Sequence, residues 1–159
     1  MLCVVTKTSR SQLPTDACTS RYWNRFVPHD RVLASAYGRG NFGIRAQRPR
    51  NSSAIGVYIN TVINSELRNV ESSYNGNGIA DDGFVLAYIR RVVLYNCSAL
   101  GNAGNGFDVE ASSSEGNAFY SCFAEGNSVD GFQLSGTSNL FSCRALGNDA
   151  NGYLILGSS

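Results

Sequence analysis

Charge is scarce in this chain, and so are the residues that most often announce a catalytic or metal centre. Of 159 residues, 16% are Asp, Glu, Lys or Arg, and there are one histidine, one tryptophan, one methionine and three prolines. With 43% hydrophobic residues, so little charge excludes a self-repelling disordered polymer and leaves enough apolar side chain for one packed domain. No apolar run approaches the ~20 residues that cross a bilayer, so no membrane span is expected. The opening Leu2-Cys3-Val4-Val5 breaks into Thr6-Lys7-Thr8 before a secretory core forms, so no export signal is expected in the chain as given. Five cysteines, an odd number and widely spread, fit neither a CxxC zinc knuckle nor a dense disulfide framework. No metal and no cofactor is expected, and whether Cys3 and Cys18 pair is left open.

What charge there is divides unevenly. Residues 1–54 hold nine basic residues against Asp16 and Asp30, a net +7, whereas residues 55–159 hold Arg68, Arg90, Arg91 and Arg144 against ten acidic residues, a net −6. Such halves attract each other, or the opposite half of a neighbouring copy. The seventeen glycines against so few prolines favour β structure with many tight turns.

A repeat organises the second part. Aligned on Val70, Cys97, Cys122 and Cys143, the chain shows a small residue two positions on (Ser72, Ala99, Ala124, Ala145) and asparagine five positions on (Asn75, Asn102, Asn127, Asn148). Three positions before each anchor stand Leu67, Leu94, Phe119 and Leu140, and one position before stand Asn69, Asn96, Ser121 and Ser142. A second set follows each asparagine: Asp82-Gly83-Phe84, Asn105-Gly106-Phe107, Asp130-Gly131-Phe132 and Asn151-Gly152-Tyr153. Asx-Gly pairs read as turns with positive φ, and the alternation after the aromatic reads as a half-buried strand. Gly56-Val57-Tyr58-Ile59 reads as the same strand one turn earlier, giving about five turns in all.

Registered strands every 21 to 27 residues, joined by bends too short for a helix, wind most economically into a solenoid in which equal columns stack ~4.8 Å apart. The expected fold is therefore all-β, a single-stranded parallel β-helix over residues 55–159 preceded by an irregular basic segment, residues 1–54, acting as cap or docking arm. In that segment only Gly40-Asn41 followed by Phe42, Ile44 and Ala46 hints at a degenerate first turn. The columns over residues 55–159 resemble the right-handed parallel β-helix of the pectate-lyase-like superfamily, whose turns have similar lengths and often carry asparagine ladders. Handedness comes from that resemblance alone.

The candidate sites follow from which columns face outward. The resemblance implies that a carbohydrate-active member would use acidic residues with a basic partner, and the acidic residues available are Asp81, Asp82, Asp108 and Glu110, a candidate carbohydrate or cation site. They read equally as a solvated acidic face, and the sole histidine, His29, lies outside the repeat. Tyr95, Tyr120 and Phe141, with Arg68 in the same column, form a ladder that can stack a sugar or shield a bend. Cys97, Cys122 and Cys143 read as buried small hydrophobes. Leu100, Phe123 and Leu146 form an apolar stripe for the basic segment to cover, and Leu154 and Leu156 make the last turn apolar on both faces. The function expected is a non-catalytic structural or binding β-helix, a homo-oligomer or fibre joined head to tail, with a carbohydrate-active β-helix acting on a polysaccharide (lyase, hydrolase or epimerase-like) or a fragment of one as the alternative. Arginines beside Tyr22, Trp23 and Phe26 form no recognisable nucleic-acid module. Analogy of fold places such proteins outside the cell or on its surface.

Overall fold

In this computed structural model the described residues are 3–4, 32–36, 43–45, 50–51, 55–76, 81–110 and 114–156, with side chains from residue 50 onward. Every regular element among them is a β-strand. Four turns of three strands each follow one another: β4 (Val57–Asn60), β5 (Ile63–Arg68) and β6 (Glu71–Ser73); β7 (Phe84–Ala87), β8 (Arg90–Tyr95) and β9 (Ser98–Leu100); β10 (Phe107–Glu110), β11 (Asn117–Tyr120) and β12 (Phe123–Glu125); β13 (Phe132–Ser135), β14 (Ser138–Phe141) and β15 (Arg144–Leu146). A last strand, β16 (Tyr153–Leu156), opens a further turn.

Each strand pairs in parallel with its counterpart one turn away, so three sheets run along one axis. The register equals the sequence columns: Tyr58, Val85, Asp108, Gln133 and Leu154 are successive partners in the first sheet, and Glu71, Ser98, Phe123 and Arg144 in the third. The solenoid is thus confirmed, with three strands per turn. The middle strand, which carries Leu67, Leu94, Phe119 and Leu140, reads in the sequence only as an apolar column ahead of a bend.

Parallel pairing also continues before residue 55. Strands β2 (Val32–Ala36) and β3 (Gly43–Arg45) pair in parallel with β4 and β5, and Arg50 bridges to Ser73. The arginine-rich segment therefore supplies strands to the coil. Ile44 is partnered by Leu67 in the middle sheet; Gly40, Asn41, Phe42 and Ala46 of the degenerate turn read there lie outside the described residues. Strand β1 (Cys3–Val4) runs antiparallel along β2. Cys18, His29 and the aromatic group Tyr22, Trp23 and Phe26 lie outside the described residues, and nothing is described of the Cys3 side chain.

The interior follows from the columns. Phe84 stacks on Phe107 at 4.5 Å, Phe107 on Phe132 at 4.8 Å and Phe132 on Tyr153 at 5.2 Å between ring centroids. Phe119 meets Phe107 and Phe132 edge-on across the core. Alanines 99 and 124 lie in the third sheet, and they and the four phenylalanines are fully buried; large against small is what fills so narrow a section at the density of a protein interior.

The bends differ from the expectation in one informative way. The Asx-Gly pairs at 82–83, 105–106, 130–131 and 151–152 are not the left-handed residues. Positive φ falls instead on Asn69, Asn96, Ser121 and Ser142, between the second and third strands, and on Tyr74, Gly101, Gly126 and Gly147, after the third. At Gly83, Gly106 and Gly131 glycine is required for space. A Cβ on Gly106 would lie 2.6 Å from the Gly131 carbonyl oxygen and 2.8 Å from the Asn127 amide, both fixed. Gly106→Ala is accordingly expected to lower unfolding free energy by about 2 kcal/mol or more. Gly126→Ala meets nothing within 4 Å but sits at φ 63°, and should cost only ~1 kcal/mol. Urea midpoints of the two variants check the order; a smaller loss for Gly106→Ala would refute the packing explanation.

Candidate functional site

The four acidic candidates are brought together. Asp108 and Glu110 lie on β10 beside Val85 and Ala87 of β7, and Asp81-Asp82 occupy the bend just before β7. Burial first, then the charges of Asp108, Glu110 and Asp81, push the Asp82 carboxyl from 3.8 up to about 7. Burial and the Glu110 charge push Asp108 up to about 6, against a hydrogen bond that favours its ionised form. That bond is donated by the Gln133 side-chain amide at 3.2 Å.

Asp82, however, has a structural task. Its Oδ1 accepts the backbone N–H of Asn105, Asn105 Oδ1 accepts that of Asp130 at 3.0 Å, and Asp130 Oδ1 accepts both the backbone N–H and the side-chain amide of Asn151 at 2.8 Å. The Asx of each turn pair thus forms a second ladder, alternating Asp, Asn, Asp, Asn along the axis. Asp82, read from the sequence as half of an acidic doublet in the longest turn, is 5% exposed and faces the next bend. Glu110 is exposed, and Ser114 donates to its backbone carbonyl at 2.9 Å. Among the described residues no three carboxylates, histidines or cysteines converge as a cation site would require. Arg68 and Arg90, which could serve as basic partners, are engaged by Glu66 and Glu115.

The aromatic column presents a different surface from the one a sugar would need. Tyr95 stacks on Tyr120 at 5.1 Å and 14°, Tyr120 on Phe141 at 4.6 Å and 9°, and the Arg68 guanidinium lies 3.9 Å over Tyr95. The faces of Tyr95 and Tyr120 are occupied by their neighbours and closed to the CH groups of a pyranose, which stack on faces, while Phe141 at the end of the column is 47% exposed. Shielding of the sheet is what this ladder provides.

The thiols line up as the columns require. Cys97 and Cys122 are buried, Cys143 is half-buried, and all three are free. Each Sγ lies against backbone carbonyls, 3.5 Å from Tyr95 for Cys97 and 3.6 Å from Tyr120 for Cys122. Its hydrogen bond with Cys122, then burial, holds the Cys143 thiol protonated well above the ordinary range, which suits a packing role and not a thiolate ligand.

The apolar candidates divide. Leu100 and Leu146 share a column but have Glu125 between them, and Phe123 stands in the neighbouring column under the Arg144 guanidinium at 5.6 Å. A carboxylate therefore separates the two leucines of the stripe read there. At the last rung, outward-facing Leu154 is half-buried, while Leu156 is 41% and Leu146 52% exposed. The residue missed by sequence reasoning is Ile155, 68% exposed. It occupies the inward column of Ile59, Leu86, Val109 and Leu134, whose members are at most 2% exposed. Tyr153 and Phe141 are likewise uncovered, at 43% and 47%. The physical reason is that an inward residue is covered by the rungs on both sides, and among the described residues β16 pairs with β13 alone.

The sequence profile of the family described as right handed beta helix region matches residues 25–159. No curated protein and no solved structure matches the chain. The profile begins ahead of β2 and spans every rung described above. The chain belongs to the right-handed β-helix family.

Proposed function

We propose that this chain is a non-catalytic β-helix that associates with further copies of itself through the last rung, building an elongated assembly. The observation that carries the reading is the exposure of Ile155, an inward-column residue, beside β14, β15 and β16, whose outer edges meet no further strand among the described residues. Every earlier rung buries those columns under a rung of like sequence, so the surface best matched to this one is another rung of the same pattern. The opposite charge of residues 1–54 and 55–159 favours contact between the start of one copy and the finish of another, and a heterologous contact that does not close extends as a fibre.

Sedimentation velocity and electron microscopy of the purified chain test this. Concentration-dependent oligomers or filaments are expected, and Ile155→Asp should weaken association about a hundredfold, the effect of burying an unpaired charge worth roughly 3 kcal/mol. Leu100→Asp, two turns away, should leave it unchanged. A chain that stays monomeric at high concentration, or an Ile155→Asp variant that assembles normally, overturns the proposal. Cleavage of an acidic polysaccharide would favour the carbohydrate-active reading, which rests on the proximity of Asp81, Asp108 and Glu110. Against it stand the structural engagement of Asp82 and the face-to-face stacking of the ring column.

A further inference from the structure

The second ladder contains the dipeptide Asn-Gly at two equivalent positions, Asn105-Gly106 and Asn151-Gly152, and places them in different surroundings. Loss of ammonia from asparagine begins when the backbone nitrogen of the following residue attacks the side-chain carbonyl carbon. That nitrogen must be free of hydrogen bonding, and glycine offers least steric hindrance. Gly106 N–H donates to the Asp130 carbonyl at 2.8 Å, and the Asn105 side-chain oxygen is held by the Asp130 backbone amide at 3.0 Å. Asn105 is 9% exposed. Asn75-Gly76 is likewise restrained, for the Asn75 amide is 1% exposed and bonds both Ser72 Oγ and Asn102 Oδ1 at 2.9 Å.

Asn151 differs in each respect. It is exposed, Gly152 N–H has no acceptor among the described residues, and the side chain is held only by its Nδ2 bond to Asp130 Oδ1 at 2.8 Å. Gly83, Gly106 and Gly131 all donate to the Asx carbonyl of the next rung, and Gly152 has no such acceptor among the described residues.

We infer that Asn151 is a site of spontaneous deamidation, set apart from its equivalent Asn105 by its exposure and by a following N–H that meets no acceptor among the described residues. Gly152 N forms a bond to Asn151 Cγ, the amide nitrogen departs as ammonia, and water opens the resulting succinimide to aspartate or isoaspartate. The net change is one water consumed and one ammonia released, with no oxidant and no enzyme. The product places a carboxylate against that of Asp130, which is 2% exposed, and removes the amide that donated to it. The alternation that separates carboxylates along the ladder is then lost at its end, and the last rung loosens. Through Asp130, ageing of one side chain alters the surface on which self-association is proposed above; the site itself does not depend on that reading.

Trypsin separates the two positions, because cleavage after Arg91 and Arg144 puts Asn105 and Asn151 in different peptides. The full chain is held at about pH 8, diluted until it sediments as a monomer, and the peptides are followed by mass spectrometry with fragmentation to locate the site. Asn151 should convert about tenfold faster than Asn105 or more, the ratio that ~1.4 kcal/mol of local opening produces. In strong urea the ratio should fall to about one. Equal rates in the folded monomer, or faster conversion of Asn105, overturn the inference. Raising the concentration separates it from the assembly proposal: slowing at Asn151 alone supports docking on this rung, whereas an unchanged ratio counts against docking and leaves the site standing.

Discussion

Replacing Asn102 with alanine should destabilise the coil by about 4 kcal/mol, a large part of the 5–15 kcal/mol by which domains are usually stable. Asn102 is fully buried. Its Oδ1 accepts from the Asn75 backbone at 3.1 Å and the Asn75 amide at 2.9 Å, while its Nδ2 donates to the Ser72 carbonyl at 3.1 Å and Asn127 Oδ1 at 2.9 Å. Truncation leaves donors and an acceptor in the interior without partners, and such groups carry their full desolvation cost. Asn148→Ala, at the half-buried end of the same ladder, should cost only ~1 kcal/mol because water reaches the vacated partners. Urea unfolding of both variants decides the matter: similar losses would mean that the ladder is not a cooperative buried network.

The second large effect is in pH. Asp82 and Asp108 bind protons more tightly in the fold than in the open chain, the former at about 7 and the latter at about 6, each against 3.8. Above about pH 7 both are ionised in the folded and the unfolded chain, and the fold bears the whole cost of burying them. As pH falls from about 7 to about 4 the folded form takes up protons first, so stability rises with acidification, the reverse of a salt-bridged carboxylate. At ~1.4 kcal/mol per tenfold change in proton affinity, Asp82 alone accounts for at most about 4 kcal/mol. The coil should therefore unfold at a higher urea concentration at pH 5 than at pH 8. Asp82→Asn, which keeps an oxygen for the Asn105 N–H and removes the charge, should raise stability at pH 8 by roughly 2 kcal/mol and flatten the profile. A variant less stable than the parent at pH 8 would show that the carboxylate is favoured where it lies.

How legible these features were depended on whether a column recurs. The asparagine ladder, the thiol column and the strand after each Asx-Gly pair were read correctly because four turns repeat the same residue types in the same order. The middle strand was only half visible: its length varies, from six residues in β5 and β8 to four in β11 and β14, so its start has no constant spacing from the anchors. The strands before residue 55 were hidden for the same reason, since β2 and β3 lack the Asx-Gly and asparagine signals that mark the later turns. Asp82 illustrates the opposite failure. Asp81-Asp82 reads as an acidic doublet in a long bend, yet Asp82 occupies the column of Asn105, Asp130 and Asn151, and column membership outweighed its charge.

The sequence by itself determined that the chain coils, which side chains share a column, and which columns are large, small or amide-bearing, because parallel in-register stacking places like on like. Only the tertiary structure decided which groups are covered and by what. It gave the Asx column its hydrogen bonds, occupied the faces of the outer rings, required glycine for lack of space and not for positive φ, and left Ile155 bare while Leu134 is buried. The physical reason is that a repeat constrains neighbours along the axis, whereas burial depends on how many rungs lie on each side and on how the three sheets close around the core.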